Sequence, residues 1–180
     1  MPQITFPTNY MHDNIEQIAI HEAGHALAYI LAGLQFSVVT IDQSKIHNDG
    51  MSLGYILPIK PYYGEGSGTY YKLSPPEFFQ CFSEDITLIA GYVAQRVFTK
   101  NFDRTGSKTD IRILYNNRMM NQDEPFRSLY RNFLFSYTFE LFKLNENKRM
   151  IKKIAKELLK RKTLSYDQVK EIVDQNIGTD

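Results

Sequence analysis

The chain has 180 residues, with 21 basic and 20 acidic side chains and a net charge of +1. That length suits one domain, and so even a charge balance argues against a nucleic-acid footprint, which needs a strong basic excess. A lone cysteine, Cys81, excludes an internal disulfide and points to a reducing, cytoplasmic setting, while the opening residues lack the pattern of a signal peptide and no apolar run is long enough to insert in a membrane.

In chain order, the first expected element is a helix over 14–32. Asp13 followed by Glu16 has the spacing of a capping box. Ile15, Ile18, Ala19, Ala26 and Ile30 recur at helical intervals, and Gly33 is a stop. FSVVTID (Phe36 to Asp42) and MSLGYIL (Met51 to Leu57) read as strands of a small sheet within 36–72, joined by the turn-like SKIHNDG. PYYGEGSGTY, with Gly64, Gly66 and Gly68, reads as a loop that could cover a cleft as a lid. Ser74, Pro75 and Glu77 then open a helix over 75–98, apolar on most sides and therefore central. Ser107 is the expected cap of a helix over 108–120. The C-terminal helices fill 124–177: an aromatic one from Phe126 to Leu144, an amphipathic one with Met150, Ile151, Ile154, Leu158 and Leu159 on one face, and a short one capped by Ser165. The lysines of the amphipathic helix read as a solvated face. The fold class is mainly α (α+β), a single domain over 1–180 with a small sheet near the N-terminus.

Within the first helix stands HEAGH, His21 to His25, a fit to H-E-x-x-H. At 3.6 residues per turn His25 lies about 40° from His21, and Glu22 lies about 60° beyond His25. Both imidazoles point at one spot, as a zinc ion needs, and the Glu22 carboxylate flanks it, placed to hydrogen-bond a water there. Ala23 and Gly24 are small enough to let another element approach. A catalytic zinc usually takes three protein ligands. The extended pattern with a third histidine is absent, since Ala28 and Leu31 hold its Gly and His positions. His12 and His47 read as surface histidines. Glu84 and Asp85, on the central helix, could offer a carboxylate, and so could Asp110. Asp110 also stands three residues after Ser107, where an acid closes a capping box. By spacing alone, capping and ligation stay equally open. A structural reading, two neutral histidines buried in an apolar helix, is open too.

Five segments follow one another from about Ile15 to Val173: AIHEAGHALAYILAG, MSLGYILP, YYKLSPPEFFQCFSEDITLIAGYVAQRVF, RTGSKTDIRIL and KRMIKKIAKELLKRKTLSYDQVKEIV. In that order they resemble the peptidase domain of the FtsH-type zinc metalloproteases, the AAA-linked proteases of bacteria, mitochondria and chloroplasts. The resemblance implies that His21, His25 and Asp110 hold Zn2+, that Glu22 is the catalytic acid/base acting on a zinc-bound water, and that the fold is largely helical. It implies a zinc-dependent endopeptidase acting on unfolded proteins or peptides. The chain carries no phosphate-binding loop, so it is expected to act without ATP on its own, with a separately encoded ATPase or a homo-oligomer as open partnerships. Gln95 and Arg96 stand where the family has acids, and Tyr92 and Val93 replace smaller or polar residues. The strand Leu53 to Leu57 is the candidate for pairing with an extended substrate. Tyr55, Tyr62, Tyr63, Tyr70 and Tyr71 are candidates for holding an oxyanion or lining pockets, or simply for packing. The alternative function is a non-proteolytic binding or regulatory module that keeps the metal site.

Overall fold

The computed structural model describes residues 15–42, 44, 54–59, 70–99, 110–120 and 122–176. Helix α1 is Ile15–Leu31, followed by strands β1 (Phe36–Thr40) and β2 (Tyr55–Pro58). A short 3-10 turn, Tyr70–Lys72, leads to α2 (Pro75–Phe98). Helix α3 is described from Asp110 onward and passes into a π turn at Tyr115–Met119. Then come α4 (Phe126–Lys143), α5 (Asn145–Arg161), β3 (Thr163–Ser165) and α6 (Tyr166–Asp174). The molecule is mostly helical with one small antiparallel sheet, as the composition and periodicity suggest. The expected lid loop, Leu53, His12, His47, Asp13 and Ser107 lie outside the described residues.

Local chemistry sets most of the helix ends. Gly33 stops α1 with φ at 66°, a left-handed conformation that costs glycine little. At the start of α2 the Ser74 backbone N–H donates to Glu77 Oε2 at 2.8 Å and its hydroxyl donates to the same oxygen at 2.6 Å. At α6 the box is reciprocal: Gln168 N–H donates to Ser165 Oγ at 3.3 Å, and Ser165 N–H to Gln168 Oε1 at 2.9 Å.

The sheet has the order β2-β1-β3, so a strand from the C-terminal half completes a sheet begun near the N-terminus. Val38, Val39 and Thr40 pair with Ser165, Leu164 and Thr163. The hydroxyls of Thr40 and Thr163 meet at 2.7 Å, and Leu164 is buried beneath the sheet. The helical reading of 124–177 contains no strand at 163–165. Three residues carry too little periodicity to declare a strand, and only the distant partner makes them one. On the other side, β2 pairs with β1 alone among the described residues, which leaves β2 at the sheet edge.

Helix α1 is the hub. It packs against α2 on one side and α5 on another, and α4 covers the far side of α2. Ala19, Ala23, Ala26 and Leu27 of α1, Ile89, Ala90 and Ala94 of α2, and Ile151, Ile154 and Leu158 of α5 are fully enclosed. Truncating a leucine at a site such as Leu27 typically costs about 2–5 kcal/mol, because neighbours refill the space only in part. The α1–α2 approach is close for a specific reason. A Cβ on Gly24 would lie 2.5 Å from Ala94 Cβ and 2.7 Å from the Ala90 carbonyl oxygen, so only glycine fits. Among the described residues no helix is long and apolar enough to cross a membrane.

Candidate metal centre

His21 and His25 sit one turn apart on the buried face of α1, each 6% exposed. Their rings meet edge to face, with centroids 4.7 Å apart, and their Nε2 atoms are 3.0 Å apart. Asp110, the first described residue of α3, brings Oδ2 to 3.0 Å from His21 Nε2 and 3.2 Å from His25 Nε2. The three atoms form a nearly equilateral triangle. Tetrahedral zinc with bonds of about 2.0–2.1 Å spaces its ligand atoms about 3.3 Å apart, close to the edges seen here. Among the described residues this is the one group of three such side chains close enough to share an ion.

The donor chemistry fits a cation as well as the spacing does. Two imidazole nitrogens at 3.0 Å cannot both present lone pairs to each other favourably, nor can both present protons. One neutral N–H donating to the other nitrogen satisfies that pair, and the Asp110 carboxylate beside both nitrogens adds a pull for positive charge, a metal ion or a proton, among the three atoms. Burial works against a charged His25, but the Asp110 carboxylate outweighs it and pushes the His25 pKa up to about 9. Burial likewise opposes a charged Asp110, yet the His25 charge and the hydrogen bonds from both imidazoles hold its carboxyl well below the usual range.

Helix α2 fixes the histidine tautomer. His25 Nδ1–H donates to the Thr87 carbonyl oxygen at 2.6 Å, which leaves the Nε2 lone pair for a ligand role. Four residues further along α2, Gly91 leaves space for both rings. A Cβ there would lie 2.5 Å from His21 Nε2 and 2.5 Å from His25 Nε2.

Glu22, next to His21 on α1, is 4% exposed and close enough to the triangle to feel the charges of His21, His25 and Asp110. Burial raises its pKa above the ordinary carboxylate value; His21 and His25 pull it back, and Asp110 adds to the rise. A Cβ on Gly54, just before β2, would lie 2.6 Å from Glu22 Oε1, so the strand's leading edge passes directly beside this carboxylate. Glu22 Oε2 and His21 Nδ1 are buried and have no hydrogen-bond partner among the described residues. Such atoms are costly in a packed interior and mark places where a further group is accommodated.

Other sequence candidates go elsewhere. Glu84 Oε1 accepts from Gln80 Nε2 at 3.3 Å. Asp85 Oδ2 accepts the Tyr70 hydroxyl at 2.6 Å and the Tyr130 hydroxyl at 2.8 Å. Neither acid joins the histidines, and Tyr70 is a core residue rather than a cleft residue. Tyr55 is half-buried in β2, and Tyr62 and Tyr63 lie outside the described residues. Sequence reasoning missed Thr87, Gly91 and Gly54. A backbone carbonyl leaves no sequence signal. The small residues Ala90, Gly91 and Ala94, on a helix otherwise rich in large apolar groups, were the available sign of a close approach. The chain matches no protein-family model and no curated protein, so the geometry of the site and its residues carry the functional reading.

Proposed function

We propose that the protein is a zinc-dependent endopeptidase of the FtsH peptidase type, acting in the cytoplasm on extended peptides or unfolded protein segments. The observation that supports this reading most is the convergence of His21 Nε2, His25 Nε2 and Asp110 Oδ2 within 3.0–3.2 Å of one another, with the buried Glu22 carboxylate in electrostatic reach of all three residues.

In this reading His21, His25 and Asp110 hold the ion. Zinc bound there supplies Lewis acidity toward a scissile carbonyl and toward water. Glu22 takes the proton from the attacking water and returns it to the leaving amine. Its burial suits that work, because a carboxylate with a raised pKa is a stronger base at neutral pH. Thr87 keeps His25 in the tautomer that offers Nε2. An extended peptide adding to the edge of β2 that pairs with no other described strand would run past Gly54 and bring its carbonyl toward Glu22. Main-chain pairing of that kind tolerates varied side chains.

The close enclosure of Glu22 favours a second reading, a metal-holding module that binds or regulates a partner without cleaving it. Hydrolysis of casein or of a peptide library, with zinc supplied and with chelator, separates the two. The protease reading expects chelator-sensitive cleavage by the wild type and a loss of roughly 100-fold or more in Glu22→Gln. Equal silence of wild type and variant, with one zinc bound to each, would favour the binding module.

A further inference from the structure

We propose that Gly91 is a positioning residue of the metal centre: the missing side chain on α2 is what allows the two imidazoles to converge. The inference rests on the zinc reading above and deepens it.

A methyl group at position 91 would overlap both ligand nitrogens at 2.5 Å and His21 Cδ2 at 2.6 Å. An ordinary carbon–nitrogen contact is near 3.4 Å, so both nitrogens would have to retreat by roughly 0.9 Å, several times the tolerance of about 0.2 Å for a metal–ligand distance. The His25 ring has little freedom to do so while staying in place. His25 is tied at its other nitrogen to the Thr87 carbonyl, on the same face of α2 one turn earlier. The α1 backbone cannot withdraw as a unit without breaking its close seat at Gly24, where Ala90 and Ala94 already touch. Helix α2 therefore acts as a template for the zinc helix, with an acceptor at 87 and a recess at 91.

Helix propensity alone argues against glycine at this position. Gly is a poorer helix former than Ala, and Gly91 lies in the interior of a helix of 24 residues. Without the imidazoles, alanine would be the better choice.

That contrast supplies a test that does not depend on activity. Gly91→Ala is made in the full chain, once in the wild-type background and once with His21→Ala and His25→Ala together. Thermal midpoints are read without metal, and zinc binding is measured by competition with a chelating indicator. The proposal expects the midpoint to fall in the wild-type background and to rise where the rings are absent. It also expects zinc affinity to weaken roughly 100-fold or more in Gly91→Ala, at least the loss seen when groups that orient metal ligands are removed. Wild-type zinc affinity in a folded Gly91→Ala variant would overturn it. If the wild type itself takes up no zinc, the zinc reading fails separately. The midpoints then decide whether Gly91 positions the rings: a reversal of sign supports that role, and the same sign in both backgrounds overturns it.

Discussion

Two aspartates of this protein meet their surroundings in the same outward form and to opposite effect. Asp85 Oδ2 lies between two phenol hydroxyls, at 2.6 and 2.8 Å. Asp110 Oδ2 lies between two imidazole nitrogens, at 3.0 and 3.2 Å. The phenols keep their protons. Burial and the neighbouring Asp85 charge both push the Tyr130 pKa upward, so its hydroxyl is a permanent donor to the carboxylate. Those hydrogen bonds tie the 3-10 turn and α4 to α2. The imidazole nitrogens approach each other as closely as they approach the acid. At Asp85 two phenol hydroxyls of the protein itself supply the donors to Oδ2. At Asp110 a carboxylate oxygen and two imidazole nitrogens converge on one point, where a shared cation fits. A buried carboxylate thus becomes structural or ligating according to the groups that meet it.

The contrast can be broken most forcefully at Asp110. Asp110→Ala should weaken zinc binding by more than about 100-fold in an indicator competition, since it removes a ligand outright rather than a group that orients one. Asp85→Ala should leave zinc affinity unchanged within a few-fold. It should instead destabilise the fold by roughly 3 kcal/mol in denaturant titration, because two buried hydroxyls lose their acceptor. If Asp85→Ala also releases zinc, the two carboxylates are not separable in the way drawn here.

Proton competition sharpens the comparison further. His25 has its folded pKa raised from 6.5 to about 9 in the metal-free protein. Its stabilising contribution is therefore fully present below about pH 6.5 and is lost as pH rises through about 9. The lowered Asp110 value acts at the other end, its contribution present above 3.8 and lost as pH falls through the folded value. Zinc has to displace the proton of the pair, so affinity should climb by about tenfold per pH unit between 7 and 9. Calorimetry in buffers of different ionisation enthalpy should show release of close to one proton at pH 7.5. Asp85 predicts no such dependence. The smallest effect belongs to Tyr130→Phe, which removes one of two donors to Asp85. It should cost about 1 kcal/mol, with zinc affinity unchanged.

Legibility in the sequence followed the range of the interactions. Helix α2 is readable because Ser74, Pro75 and Glu77 act within one turn, and α6 because Ser165 and Gln168 do. Strand β3 is not readable: Thr163 gains its partner Thr40 from 123 residues away, and three residues display no period of their own. The metal centre divides along the same line. His21 and His25 declare themselves through helical spacing. Asp110 entered as one candidate among several and was singled out by resemblance, since no local rule ties position 110 to position 21. Glu84 and Asp85 looked as eligible by composition, and only the packing of α2 against Tyr70 and Tyr130 removes Asp85. Gly91 was visible as a glycine and not as a recess, because its meaning depends on which helix lies across it.

The most direct measurement is diffraction from zinc-loaded crystals, with anomalous data collected at the zinc edge. The account predicts one strong peak per chain, within about 2.0–2.2 Å of His21 Nε2, His25 Nε2 and an Asp110 carboxylate oxygen. A peak elsewhere, or one held by the histidines with Asp110 turned away to cap α3 alone, would contradict it.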